Sequence, residues 1–87
     1  MDGLTRALAV ELKPLRVNCV APGVVKTDLW AGMGEAGRDA FYASEAARLP
    51  VGHVGEVEEI TESYLYLMRQ TYVTGQVLYV DGGGLLA

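Results

Sequence analysis

Arg16-Val17-Asn18-Cys19-Val20-Ala21-Pro22-Gly23 and Gln76-Val77-Leu78-Tyr79-Val80-Asp81-Gly82-Gly83-Gly84 are the two stretches that decide the fold. Each is a short β-leaning run that ends in turn chemistry: Pro-Gly closes the first, and an acidic residue with glycines closes the second. Between them, Val57, Ile60, Tyr64, Leu67 and Met68 recur at helical spacing. Glu56, Glu58 and Glu59 crowd the start of that helix, where its dipole favours negative charge, and Arg69 stands near its end. Two strands joined through a helical connection are expected to pair in parallel, which makes the chain α/β.

Working outward from the first strand, Leu4, Ala7, Leu8, Leu12 and Leu15 predict an N-terminal helix that Pro14 stops. Ala9 and Val10 lie off this stripe, so the helix is expected to bury two sides. From Lys26 to about Gly37 the chain is polar and glycine-rich. Asp39 to Leu49 then predicts a second, shorter helix ended by Pro50. The order is helix, strand, lid-like insertion, helix, strand.

At 87 residues the chain has room for one small domain, and 51% hydrophobic residues place it in the globular class. A net charge of −4 and a pI near 4.8 argue against nucleic acid or an acidic membrane as partner. No apolar run reaches the ~20 residues of a membrane span, and Met1 to Arg6 lacks the order of a secretory signal. One cysteine, Cys19, permits no internal disulfide and suggests a cytoplasmic address. With one histidine, His53, it makes no ordinary zinc site, so no metal is expected. Cys19 is expected to act as a small hydrophobe, Asn18 to bond nearby backbone, and His53 to be solvated or structural.

Gly32-Met33-Gly34-Glu35-Ala36-Gly37 matches the G-x-G-x-x-G pattern of dinucleotide-binding turns. That pattern works where a strand runs into a helix whose N-terminus meets a pyrophosphate. Here it follows a loop-like stretch, and the acids about 20 positions later open a helix instead of closing a strand. The segment is expected to be a loop and not a cofactor turn.

Three segments are far more specific in combination: Leu4-Thr5-Arg6-Ala7-Leu8-Ala9-Val10-Glu11-Leu12, Arg16 to Gly23, and Tyr72-Val73-Thr74-Gly75-Gln76 running on to Gly83. In this order and spacing the chain closely resembles the last third of the short-chain dehydrogenase/reductase family, from Met1 to about Gly84. Leu49 to Ile60 matches as well, with His53 where the family often has Arg and Val57 where it often has Pro. The resemblance implies the C-terminal part of a Rossmann-like, doubly wound parallel sheet. Residues 1–87 are then a single partial domain in which 28–49 form a substrate lid.

The same resemblance implies roles for particular residues. Pro22 and Gly23 would turn the backbone beside a nicotinamide ring, while the Val25 amide and the Thr27 hydroxyl would hold its carboxamide. Trp30, Met33, Phe41 and Tyr42, with Leu49, would line an apolar substrate pocket. Tyr64, Leu67, Tyr79 and Val80 would lie at a subunit interface, and the glycines after Asp81 would allow close backbone approach there. The cofactor implied is NAD or NADP, and the substrate a small alcohol, ketone or aldehyde.

Family members carry their glycine-rich cofactor turn, a serine and a Tyr-x-x-x-Lys pair upstream of anything seen here. None of the five tyrosines has a lysine four residues on, and the only lysines are Lys13 and Lys26. No catalytic residue is therefore assigned. The chain is expected to be part of an NAD(P)-dependent oxidoreductase, working as a homo-oligomer or with a companion chain that carries the N-terminal portion. The alternative is a non-catalytic assembly or interaction module derived from that fold.

Overall fold

The computed structural model describes residues 1–87. Its elements run α1 (Asp2–Glu11), β1 (Cys19–Pro22), a 3-10 segment (Asp28–Met33), α2 (Glu35–Arg48), α3 (Val57–Arg69), β2 (Val77–Val80) and a last 3-10 turn (Gly84–Leu86). The two strands pair in parallel, with Cys19 opposite Val77 and Pro22 opposite Val80. The α/β class and the parallel pairing are those expected from the sequence.

The boundaries differ in instructive ways. α1 stops at Glu11, ahead of Pro14, because the residue before a proline is pushed out of the helical region and proline has no N–H to continue the ladder. Its buried residues are Thr5 and Ala9, not the expected leucine stripe; Leu4, Val10 and Leu12 are exposed. The small face lets the helix come close to the turn at Gly75, where an added Cβ would lie 3.4 Å from that of Ala9. α2 starts at Glu35, four residues before the expected Asp39. Gly34, with a φ of 75°, breaks the preceding 3-10 segment, and Gly37 is accommodated inside the helix.

β1 begins at Cys19, not at Arg16, although residues 16–18 remain tied to the segment before β2. Gly75 N–H donates to the Val17 carbonyl at 2.7 Å, and Val17 N–H donates to Thr74 Oγ1 at 3.1 Å. The Asn18 amide substitutes for a rung of the ladder: its Nδ2 donates to Val73 O at 2.9 Å and its Oδ1 accepts from Gln76 N at 3.1 Å. Arg16 reaches across to the end of α3 and donates to the Leu67 and Met68 carbonyls at 2.7 and 3.1 Å. There it satisfies helix-terminal acceptors and complements the negative end of the dipole. At the other end of α3 the Glu59 carboxylate accepts from the Glu56 N–H at 2.9 Å.

The buried hydrophobic residues are Ala9, Leu49, Val54 and Leu67. Leu49 lies beneath the glycine run after β2, 3.4 Å from where a Cβ of Gly84 would be, and is buried in the core. Gly82 and Gly83 both have positive φ, and a Cβ on either would come within 2.8 Å of Val51 or Pro50. The close approach expected of these glycines is thus made inside the chain. The molecule is elongated, 48 × 25 × 21 Å, with a radius of gyration of 15.5 Å, against about 12 Å for a compact domain of this length.

Candidate functional site

The loop leaving β1 is held along one side by backbone hydrogen bonds. Gly23 N–H donates to the Val80 carbonyl at 3.0 Å and extends the sheet by one step. A Cβ at Gly23 would fall 2.9 Å from the Asp81 backbone, so the turn needs glycine for close approach. Val25 then forms an isolated parallel bridge with Gly55: Gly55 N–H donates to Val24 O at 3.1 Å, and Lys26 N–H donates to Gly55 O at 2.9 Å.

In such a bridge the N–H and C=O of Val25 itself face the opposite side. The Val25 carbonyl accepts from the indole Nε1 of Trp30 at 3.0 Å, whereas its N–H has no hydrogen-bond partner within the chain. Thr27 caps the 3-10 segment by accepting from Leu29 N–H at 3.3 Å, which leaves its O–H free to donate. Lys26 pairs with Glu56 at 3.1 Å on the surface and lies 5.9 Å from the ring centroid of Tyr42.

These groups open onto a cleft of about 330 Å³. Pro22, Gly23, Val25 and Thr27 line one side, Leu29 and Trp30 another, and Val57, Ile60, Thr61 and Tyr64 of α3 the third. The four loop residues singled out in the sequence therefore share one concavity. Val57, Ile60 and Tyr64 of this wall belong to the helical stripe read from the sequence, which gave Tyr64 to a subunit interface and did not foresee that the stripe, with Thr61 beside it, walls the cleft.

The aromatic residues expected in the lid cluster among themselves. The Trp30 and Phe41 centroids are 4.9 Å apart, and those of Phe41 and Tyr42 are 6.1 Å apart. Of the four, Trp30 alone lines the cleft; Met33 is exposed. The residues expected at a subunit interface are not brought together. Tyr64 turns to the cleft, Leu67 is buried in the chain, Val80 is half-buried, and Tyr79 is exposed on the α1 side. There the Tyr79 phenol donates to the Asp2 carboxylate at 3.1 Å. That hydrogen bond, together with the carboxylate charge, raises the phenol pKa above its ordinary value.

His53 is more than half exposed, with Nδ1 3.2 Å from Val54 O and 3.8 Å from the Glu59 carboxylate. No group of three or more His, Cys, Asp and Glu side chains is placed to hold a metal ion. No helix is long and apolar enough to cross a membrane.

Comparison with known proteins gives this geometry a context. The family described as enoyl-(acyl carrier protein) reductase matches residues 1–84. Carbonyl reductase family member 4 of Danio rerio is 42% identical over 95% of this chain and 33% of its own length. A 3alpha-hydroxysteroid dehydrogenase of Mediterraneibacter gnavus is 43% identical over 94% of this chain and 33% of its own length. A small-chain dehydrogenase whose crystal structure holds NADPH superposes with a TM-score of 0.92 at 45% identity, covering 99% of this chain and 39% of that one. The chain thus spans about a third of the length of the curated relatives it matches. With its parallel sheet and its match over almost every residue, the chain belongs to the short-chain dehydrogenase/reductase family, of which it carries the C-terminal portion.

Proposed function

We propose that this chain supplies the nicotinamide-positioning loop of an NAD(P)-dependent oxidoreductase that interconverts an alcohol with a ketone or aldehyde. The observation that carries the proposal is the pair of unused donors, Val25 N–H and Thr27 O–H, on the rim of one cleft. A nicotinamide carboxamide fits them chemically, because its oxygen accepts from both donors. Bound there, the nicotinamide supplies or receives the hydride. The chain's own part is orientation: hydride transfer needs one ring face fixed against the substrate carbon at near-contact distance. Pro22 and Gly23 shape the turn under the ring, and the apolar side of the cleft formed by Val57, Ile60 and Trp30 keeps water from that face.

Residues 28–49 act as the substrate lid, with Trp30, Phe41 and Tyr42 as an aromatic cluster and Met33 on its outer side. Contact between subunits draws on α3 and β2 through the exposed Tyr79 and the half-buried Val80, with Leu67 buried behind them and Tyr64 on the cleft side of the same helix. The partner is a second copy or a companion chain bearing the rest of the fold, and the address is cytoplasmic. The serine, tyrosine and lysine of the chemistry then come from outside these 87 residues.

Two measurements test this reading. The 87-residue chain alone is expected to show no dehydrogenase turnover and at most weak binding of NADH or NADPH; turnover free of full-length contaminant would overturn the division of labour. In the full-length protein, Thr27→Val removes one neutral hydrogen bond worth about 0.5–1.5 kcal/mol, roughly a 2- to 12-fold loss of NAD(P)H affinity or hydride-transfer rate. Thr27→Ser should restore it, and Asp28→Ala, which disturbs the same 3-10 start, should not reproduce it. Unchanged binding and kinetics in Thr27→Val would make the loop structural only.

A further inference from the structure

Val25 stands where the loop after β1 meets the lid. On the Gly55 side its neighbours are held by two backbone hydrogen bonds of 2.9 and 3.1 Å. On the other side one contact holds it, the 3.0 Å bond from the Trp30 indole to its own carbonyl. Trp30 is also the aromatic link to α2, with its ring 4.9 Å from that of Phe41. The Trp30 ring therefore ties the lid helix to the Val25–Lys26 peptide, the one that follows the N–H facing the cleft. An extended residue bridged along one edge is free to rock about that edge. A hydrogen bond on the opposite edge removes that freedom and fixes the direction in which the Val25 N–H points.

We propose that Trp30 is a positioning residue: its indole N–H, clamped on the Val25 carbonyl, holds the edge of Val25 that carries both its C=O and its N–H, and couples lid placement to ligand capture. This rests on the nicotinamide reading of the loop for its ligand and on the Trp30–Val25 hydrogen bond for the clamp. A carbonyl oxygen has two lone pairs, and the indole occupies one of them. The other lone pair and the Val25 N–H form an acceptor and a donor on one edge. The ligand group complementary to that pair is a primary carboxamide, which offers one N–H and one C=O in the same plane.

The test replaces Trp30 with benzothienylalanine, which keeps the two-ring shape against Phe41 and exchanges the N–H for sulfur; Trp30→Phe is the second variant. Hydrogen exchange is read by NMR in the full-length protein, with the Trp30 indole resonance assigned by its loss in Trp30→Phe. The indole N–H should be protected relative to an exposed indole. The amides of Asp28 to Met33 should exchange roughly 2- to 12-fold faster in the benzothienyl variant, while those of α3 stay unchanged as the control for folding. An unprotected indole, or a lid whose exchange is indifferent to the missing donor, overturns the clamp.

NADPH is then titrated in. In the wild type it should shift the Val25 amide resonance, and in the benzothienyl variant the shift and the affinity should both fall, the affinity by roughly 2- to 12-fold. An unchanged shift and affinity in the variant overturns the positioning role. Failure of the wild type to bind either NADPH or NADH titrated in its place overturns the nicotinamide reading instead, and the exchange measurement still decides the clamp.

Discussion

Tyr79 shows how one contact gives a residue a measurable signature. Its phenol donates to the Asp2 carboxylate, so losing the proton would both break the bond and set two negative charges side by side. The pKa is therefore raised, and the stabilising contact is present throughout the range below the usual tyrosine value of 10.0. It is lost only as the pH climbs through the shifted value. Asp2→Ala should bring the Tyr79 titration, followed by tyrosinate absorbance and assigned with Tyr79→Phe, down toward that usual value. A midpoint that does not move would mean that α1 and β2 do not meet there in solution. Pro22, Gly23, Val25 and Thr27 have their expected roles from the family resemblance, and the structure brings the four to one cleft. The Trp30 contact gave no sign in the sequence, because its partner is a backbone carbonyl five residues away in the chain and only the folded loop aims the two at each other.

Among the elements, the junction of β1 with the segment before β2 depends on side chains more than on the ladder. Asn18 both donates to Val73 and accepts from Gln76, across 55 and 58 residues of sequence. Asn18→Ala removes both bonds, each worth about 0.5–1.5 kcal/mol, so stability should fall by roughly 1–3 kcal/mol. The readout is the urea midpoint of the full-length protein. An unchanged midpoint would assign the junction to the Gly75–Val17 and Val17–Thr74 bonds. The expectation that Asn18 serves backbone was readable from its residue type in a strand. Its partners were not, because they depend on the positive φ of Gly75, 71°, which turns the incoming chain toward Val17. The start of α2 was misplaced for a similar reason: glycines 34 and 37 look alike in sequence, yet one breaks a helix and the other lies within one.

For the molecule as a whole, surface decides. The accessible area is 6103 Å², about 1,100 Å² more than the ~5,000 Å² of a compact monomer of this mass. That surplus is on the scale of one partner's share of a standard protein interface, about 800 Å². It is apolar where α1 faces outward: Leu4, Val10, Leu12 and Leu15 are 56%, 69%, 44% and 66% exposed. Two paired strands, with β1 presenting a free edge, are at best marginally stable alone. The 87-residue chain by itself is expected to self-associate or to bind a chain that completes its sheet, as measured by sedimentation velocity. A well-folded, monodisperse monomer would show that the exposed face of α1 is tolerated in water.

The sequence by itself determined the order of elements, the parallel pairing, the family and the loop that carries the candidate site. The order and pairing follow from local patterns, namely hydrophobic period, turn residues and the Pro-Gly and Asp-Gly punctuation at the strand ends, whereas the family and the loop follow from the resemblance of three segments to that family. Only the tertiary structure decided which face of α1 is inward, that Leu49 and the glycine run pack on each other, and that α3 walls the cleft beside Thr27. The physical reason is that periodicity says how much of a helix is apolar but not which small residues permit close approach. Nor does it reveal a hydrogen bond like that of Trp30 to Val25, whose partners become neighbours only when the 3-10 segment folds back over the loop.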